Sequence, residues 1–210
     1  MHPLLPAFDP LIARKYSVGT VDQKSHNKTA LQRKLGWPAE PRRPMVALPL
    51  GMTDKLGGAL FLETLPGILS LPVEILVLGK GSEKYGAAFT KLAKEQPHRV
   101  HIVAEKETEI HAMYAAADLA LFLTQTSERE EMEICLRYGV VPVAPEGTAT
   151  LDDYDPVQET GNAFLFSSPT PWNVFAQLVR AMETYKFPYD WRTIQRHGME
   201  TATHTERSAS

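Results

Sequence analysis

From Pro44 onward, short runs of aliphatic and β-branched residues alternate with longer stretches in which apolar positions recur every three or four residues. The short runs are Met45–Leu50, Val73–Leu78, Val100–Ala104, Leu119–Leu123, Val140–Ala144 and Ala163–Phe166, each followed by a turn or capping residue. A run such as Val73-Glu74-Ile75-Leu76-Val77-Leu78 is too continuously apolar for a strand with one wet face, and fits a strand covered on both sides by helices. Pro49 marks an edge or the end of the first strand, because it has no N–H to offer a ladder. Between the strands the spacing predicts helices: one capped by Ser82 and running through Gln96, with Phe89, Leu92 and Ala93 on its apolar side and Pro97 as its stop; and one over 107–117, with Ile110, Met113, Tyr114 and Ala117 on one face. A third opens at Thr170-Pro171 and repeats Val174, Leu178 and Met182, and a fourth starts near Asp190. Strands alternating with amphipathic helices are β-α-β units, so the expected class is α/β, a Rossmann-like open parallel sheet flanked by helices.

The first 43 residues differ. They carry five prolines, at 3, 6, 10, 38 and 41, around one helical stretch, Asn27–Leu35, and read as an N-terminal arm leading into a domain over 44–210. The tail after Thr201 reads as mobile. With 210 residues the chain has room for one domain and a core that needs no disulfide or metal to hold it. Its net charge of −3, with basic residues scattered among acids, argues against a nucleic-acid partner. No apolar run is long enough to span a bilayer, so no membrane association is expected. The lone cysteine, Cys135, cannot form an internal disulfide, which points to a reducing, intracellular and cytoplasmic setting, or the plastid stroma in a photosynthetic eukaryote.

In an open α/β sheet, ligands bind beyond the carboxyl ends of the strands, so the candidate chemistry sits in the loops that follow them. Gly51-Met52-Thr53-Asp54-Lys55-Leu56-Gly57-Gly58 opens onto a helix whose amides suit an anion, although glycines before a helix also serve as plain turn residues. Gly79-Lys80-Gly81-Ser82 is either an anion contact or a tight strand-to-helix connection. Glu128, Glu130, Glu131 and Glu133 crowd a helix start, where acids complement the dipole or, in the other reading, do acid/base work. Glu146 to Thr150 with Asp152-Asp153 reads as a clamp, or as a carboxylate pair too sparse to fix a metal. His98 and His101 make a poor metal pair; His111 reads as a hydrogen-bonded interior histidine and Cys135 as core packing. The sequence calls for no cofactor and no metal.

Asn27-Lys28-Thr29-Ala30-Leu31-Gln32-Arg33-Lys34-Leu35-Gly36-Trp37-Pro38 resembles the N-K-x-x-L-Q-x-x-L-G-L-P segment of bacterial glycogen synthases and plant starch synthases. Leu78-Gly79-Lys80-Gly81 is similar to that family's L-G-x-G turn, and His111-Ala112-Met113-Tyr114-Ala115-Ala116-Ala117-Asp118 to its H-x-I-Y-A-x-A-D. Leu136-Arg137-Tyr138-Gly139-Val140-Val141-Pro142-Val143 likewise resembles L-R-Y-G-x-x-P-V, and the likeness covers about residues 8–208. It implies the C-terminal half of the two-domain GT-B fold, the half that binds ADP-glucose, with the acceptor glucan held mainly by an N-terminal half. It also implies a site near Thr53, Asp54, Gly57, Gly79, Lys80, Gly81, His111 and Glu128 for the nucleotide sugar.

The likeness breaks at the donor site. The arginine and lysine that neutralise the diphosphate in the family's S-R-L-x-x-Q-K-G loop correspond to Gly51 and Leu56. The glycine and tyrosine of G-Y-D-E fall on Ala104 and Glu105, F-E-P-C-G-L aligns with Gln125-Thr126-Ser127-Glu128-Arg129-Glu130, and T-G-G becomes Gly147-Thr148-Ala149. In a metal-free site only positioned cations and amides stabilise a departing diphosphate, and removing one such group costs roughly 2.7–4 kcal/mol. The expectation is therefore a degenerate homologue with no catalytic residue of its own, acting as a binding or structural subunit. The alternative is a divergent glucosyltransferase domain that transfers glucose from ADP-glucose to an α-1,4-glucan with a separate N-terminal half. The strip that would face such a half should be exposed and apolar, so a protein partner or self-association is expected, with residual ADP-glucose or glucan binding kept open.

Overall fold

The computed structural model describes residues 5–125 and 129–209. All six expected strands form: β1 Met45–Leu48, β2 Glu74–Leu78, β3 Val100–Val103, β4 Leu119–Leu121, β5 Val141–Pro145 and β6 Phe164–Phe166. They make one parallel sheet in the order β3-β2-β1-β4-β5-β6. The helices are α1 Lys24–Lys34, preceded by a 3₁₀ stretch Val18–Gln23, then α2 Gly58–Ser70, α3 Glu83–Glu95, α4 Glu107–Ala116, α5 Arg129–Arg137, α6 Pro171–Tyr185 and α7 Pro188–Ala209. α6 starts as the sequence predicts, with Thr170 accepting the Asn173 N–H and Pro171 in the first turn. α7 runs past Thr201 to Ala209, with Met199 and Ala202 buried against the body.

Residues alternate across a strand, so each strand feeds two cores. Met45 and Ala47 of β1, with Leu76, Leu78 and Ala120, meet α1, α4, α5 and the arm. Val46 and Leu48, with Ile75, Val77, Leu121, Val143 and Phe164, meet α2, α3 and α6. This accounts for strands without a polar face. Ile12, Tyr16, Val21 and Trp37, all N-terminal to the sheet, are buried in the first of these cores.

The N-K-x-x-L-Q segment lies on α1 and is a packing device. The Asn27 amide accepts from the Arg14 N–H at 2.8 Å and donates to the Arg14 carbonyl at 2.8 Å. Lys28, fully buried, places its ammonium 2.5 Å from Asp118 and donates to the Pro41 and Arg43 carbonyls. Asp118 in turn accepts the Met45 N–H at 2.8 Å. Gln32 donates to both carboxylate oxygens of Glu74, at 3.1 and 2.9 Å, and accepts the Glu40 N–H. Burial pushes the Glu74 carboxyl up, with Gln32 opposing it. One helix face thus ties the arm to the amino ends of β1, β2 and β4.

Lys24 is buried without a carboxylate in ion-pair contact among the described residues. Its ammonium donates to the last carbonyls near the end of α4, Tyr114 at 2.7 Å and Ala115 at 3.0 Å, and lies 3.4 Å from the Tyr16 hydroxyl. Burial lowers its pKa from 10.5 to about 7, against the pull of Asp118. Below about pH 7 both folded and unfolded chains hold the proton, and the cost of burying the charge is present in full. Between about 7 and 10.5 the unfolded chain retains a proton that the folded chain has released, so stability rises with pH across that window. Cys135, whose thiol burial raises, opposes the trend above about pH 9, and Tyr16, Tyr114, Tyr138 and Tyr185, raised likewise, only above about pH 10. Urea unfolding at about pH 7 and about pH 9 is expected to give a higher midpoint at the higher pH, and Lys24→Met to remove most of that gain. An equal gain in the variant would contradict the assignment.

Candidate functional site

Strand order reverses direction between β1 and β4, and the loops after β1, β2, β4 and β5 surround the crevice at that switch point. The loops after β1 and β2 are joined to each other through their backbones. Met52 N donates to the Lys80 carbonyl at 3.0 Å, Ser82 N donates to the Met52 carbonyl at 3.1 Å, and Met52 and Gly81 form a parallel bridge. Glycine is required on both sides of this seam. A Cβ on Gly51 (φ +68°) would lie 1.9 Å from the Lys80 carbonyl oxygen, and one on Gly81 (φ +131°) 2.0 Å from the Met52 oxygen. Here the glycines serve the approach of one loop to the other.

Of the expected site residues, the structure brings Thr53, Asp54, Gly57, Gly79, Lys80 and Gly81 to this end of the sheet. Thr53 accepts the Leu56 N–H at 3.2 Å, and Gly57 (φ +84°) turns the chain into α2. Gly79 N donates to the Val103 carbonyl at 2.8 Å, which ties the β2 end to β3. A cavity of about 350 Å³ opens beside this turn, bordered by Gly79, Lys80, Gly81, Ser82 and Tyr85. Lys80 is exposed and has no ion-pair partner among the described residues. Leu56 is half-buried and packs against the core with α2 and α3.

Two residues that the pattern reading overlooked decide the state of Asp54. The Tyr85 hydroxyl donates to Asp54 Oδ1 at 2.5 Å, and the Lys84 ammonium lies 3.0 Å from the same atom. The Tyr85 hydrogen bond first, then that of Lys84, holds the Asp54 carboxyl below its ordinary value. Tyr85 also packs under α2, where a Cβ on Gly58 would meet its ring at 2.1 Å. Its place one helical turn before Phe89 was the available signal.

The other candidates lie elsewhere. His111 is buried on α4, with Nδ1 2.9 Å from Asp9 Oδ2, an oxygen that also accepts from the Tyr138 hydroxyl at 2.6 Å. It does not border the carboxyl-end cavity. Glu128 lies outside the described residues. Glu130 and Glu131 occupy the first turn of α5. Gln125 donates to the Glu146 carbonyl at 2.9 Å, linking the loops after β4 and β5. Asp153 pairs with Arg180 at 2.8 Å and accepts the Leu165 N–H at 2.9 Å, so one member of the aspartate pair is bound to the scaffold. Cys135 is buried and burial raises its thiol, which leaves it inert. Large exposed apolar side chains are scattered: Trp172 stands 73% exposed at the start of α6, at the crevice end, and Phe187 and Tyr189 stand 60% and 61% exposed at the opposite end. No helix among the described residues is long and apolar enough to cross a membrane.

No family model matches the chain. Glycogen synthase from Anaeromyxobacter dehalogenans is 33% identical over the whole of this chain and 45% of its own length. Glycogen synthase from Geobacillus thermodenitrificans is 30% identical over 98% of this chain and 43% of its own length. The chain thus spans a little under half the length of these relatives. Among solved structures, the catalytic domain of Starch Synthase IV from Arabidopsis thaliana, bound to ADP and acarbose, superposes with a TM-score of 0.80 at 23% identity. That match covers 97% of this chain and 45% of the plant chain. The C-terminal domain of a group 1 glycosyl transferase from Francisella tularensis matches with a TM-score of 0.64 over 84% of this chain and 91% of its own.

The Asp54 contact is open to direct measurement. A carbon-detected NMR titration is expected to place the Asp54 carboxyl below the ordinary aspartate range, and Tyr85→Phe to move it upward. No movement on removing the hydroxyl would show that the bond does not persist in solution.

Proposed function

The chain is homologous to the C-terminal half of glycogen synthase, a GT-B glycosyltransferase, and from that premise we propose that it is a donor domain whose donor site has degenerated, working as a binding or structural subunit. The observation that carries this reading is Gly51. By the family resemblance this position holds the arginine that neutralises the donor diphosphate. Here any side chain would begin 1.9 Å from the Lys80 carbonyl oxygen, on a backbone with φ +68°. The second lost cation, at Leu56, is replaced by a side chain turned into the core. Asp54 adds a carboxylate beside the same loop and engages Lys84, so that this lysine already has an anionic partner.

Loss of a diphosphate leaving group concentrates negative charge where this crevice has exchanged two cations for a backbone seam and an apolar side chain. Each missing group is worth roughly 2.7–4 kcal/mol of transition-state stabilisation, so loss of both removes several decades of rate. A protein partner or a second copy of the chain then becomes the natural counterpart of the crevice end. A cytoplasmic setting goes with the reading. In assays with ADP-glucose and a glucan primer, the chain is expected to show no glucose transfer, alone or mixed with the N-terminal half of a glycogen synthase. Measurable transfer in either assay would refute degeneration.

Lys80 favours a second reading. It is exposed at the β2 turn beside a cavity of about 350 Å³, and no carboxylate engages it among the described residues. In a divergent glucosyltransferase, Lys80 or Lys55 would meet the diphosphate and Glu128 the sugar, with an acceptor-binding half supplied by another chain. On this reading Lys80→Ala weakens ADP-glucose binding about tenfold, the equivalent of about 1.4 kcal/mol. An unchanged dissociation constant in calorimetric titration would remove Lys80 from the role.

A further inference from the structure

A cavity of about 540 Å³ opens at the amino end of the sheet, where Arg42 precedes β1 and Asp118 precedes β4, opposite the crevice just described. Its volume lies within the range of small-molecule sites. Tyr185 and Trp191, from either side of the α6–α7 turn, supply apolar wall, and Lys24 and Lys28 of α1 line its buried part.

The charges on this lining do not balance. Lys28 is matched by Asp118 at 2.5 Å. Lys24, by contrast, donates only to two neutral carbonyls and approaches a phenol. Arg42 and Arg192 are exposed, and neither has an ion-pair partner among the described residues. Against these two arginines, joined by Lys24 only below about pH 7, stands Asp22, the one lining acid without a cationic partner among the described residues. The positive excess is local, since the chain as a whole carries −3. The lining also holds an unused donor: Trp191 is 5% exposed, and its indole N–H has no acceptor among the described residues.

We propose that this cavity is a binding site for a small organic phosphate, its phosphate held between Arg42 and Arg192 and its apolar or ring-bearing body against Tyr185 and Trp191. Guanidinium groups present paired donors that match phosphate oxygens in a fixed fork, and they keep their charge at any working pH. An uncharged ligand would leave both arginines unmatched. A polyanion needs an extended basic track, which a single concave site does not provide.

Phenyl phosphate carries both features in the simplest form, and calorimetry together with tryptophan fluorescence reads its binding. Saturable one-to-one binding at millimolar concentration or below is expected, with inorganic phosphate weaker and phenol without saturable binding. The Arg42→Ser/Arg192→Ser double variant alters only exposed side chains, so its fold should be intact, and it is expected to bind phenyl phosphate at least about tenfold more weakly. Lys80→Ala, at the other end of the sheet, is expected to bind it as the parent does. Absence of saturation by phenyl phosphate, equal binding by the double variant, or phenol binding as tightly as its phosphate ester would each overturn the proposal. Loss of binding in Lys80→Ala would also overturn it, by placing the ligand in the crevice.

Discussion

The arrangement rests on a charge almost wholly withdrawn from water. Lys28 reaches its buried position only because Asp118 meets it at 2.5 Å and the Tyr185 hydroxyl and the Pro41 and Arg43 carbonyls surround its ammonium with acceptors. Asp118 is fixed in turn by the Met45 N–H at the start of β1. Breaking such a pair from one side typically costs about 3–5 kcal/mol, since the other charge is left stranded. The pair therefore makes arm, α1, β1 and the entry to β4 interdependent. With Gln32 on Glu74 it fixes the amino ends of three adjacent strands, and so the switch point between β1 and β4 at their other ends.

The two ends of the sheet have diverged in kind. At the carboxyl end, backbone meets backbone: Met52, Lys80, Gly81 and Ser82 close the space between two loops, and Tyr85 anchors Asp54 across it. Loops that bind a diphosphate need free amides and nearby cations, whereas here the amides of Met52 and Ser82 are donated to neighbouring carbonyls. At the amino end the reverse holds. The packing leaves a concave space whose lining holds two arginines with no ion-pair partner among the described residues, and an aromatic wall.

Much of the fold was legible because it is written in local periodicity. Six aliphatic runs, capped helices such as that at Thr170-Pro171, and the long apolar stretch of β2 require only neighbouring residues to be interpreted. The positions of Gly51, Lys80 and Gly81 in strand-to-helix turns were legible for the same reason. Tyr85 was not, because its role depends on Asp54, thirty-one residues away and adjacent only after β1 and β2 pair. His111 shows the same limit: its partner Asp9 is 102 residues distant.

The sequence by itself determined the class of fold and the order of its elements, since periodicity and spacing are properties of the chain, and its family resemblance put non-cationic residues at two donor-loop positions. Only the tertiary structure decided what those changes mean in space. It alone showed that Gly51 is glycine because a carbonyl of another loop lies within contact distance of its missing side chain, and that the buried lysines of α1 serve the amino end of the sheet. Close approach and unmatched charge arise between segments far apart in sequence, and no local pattern records them.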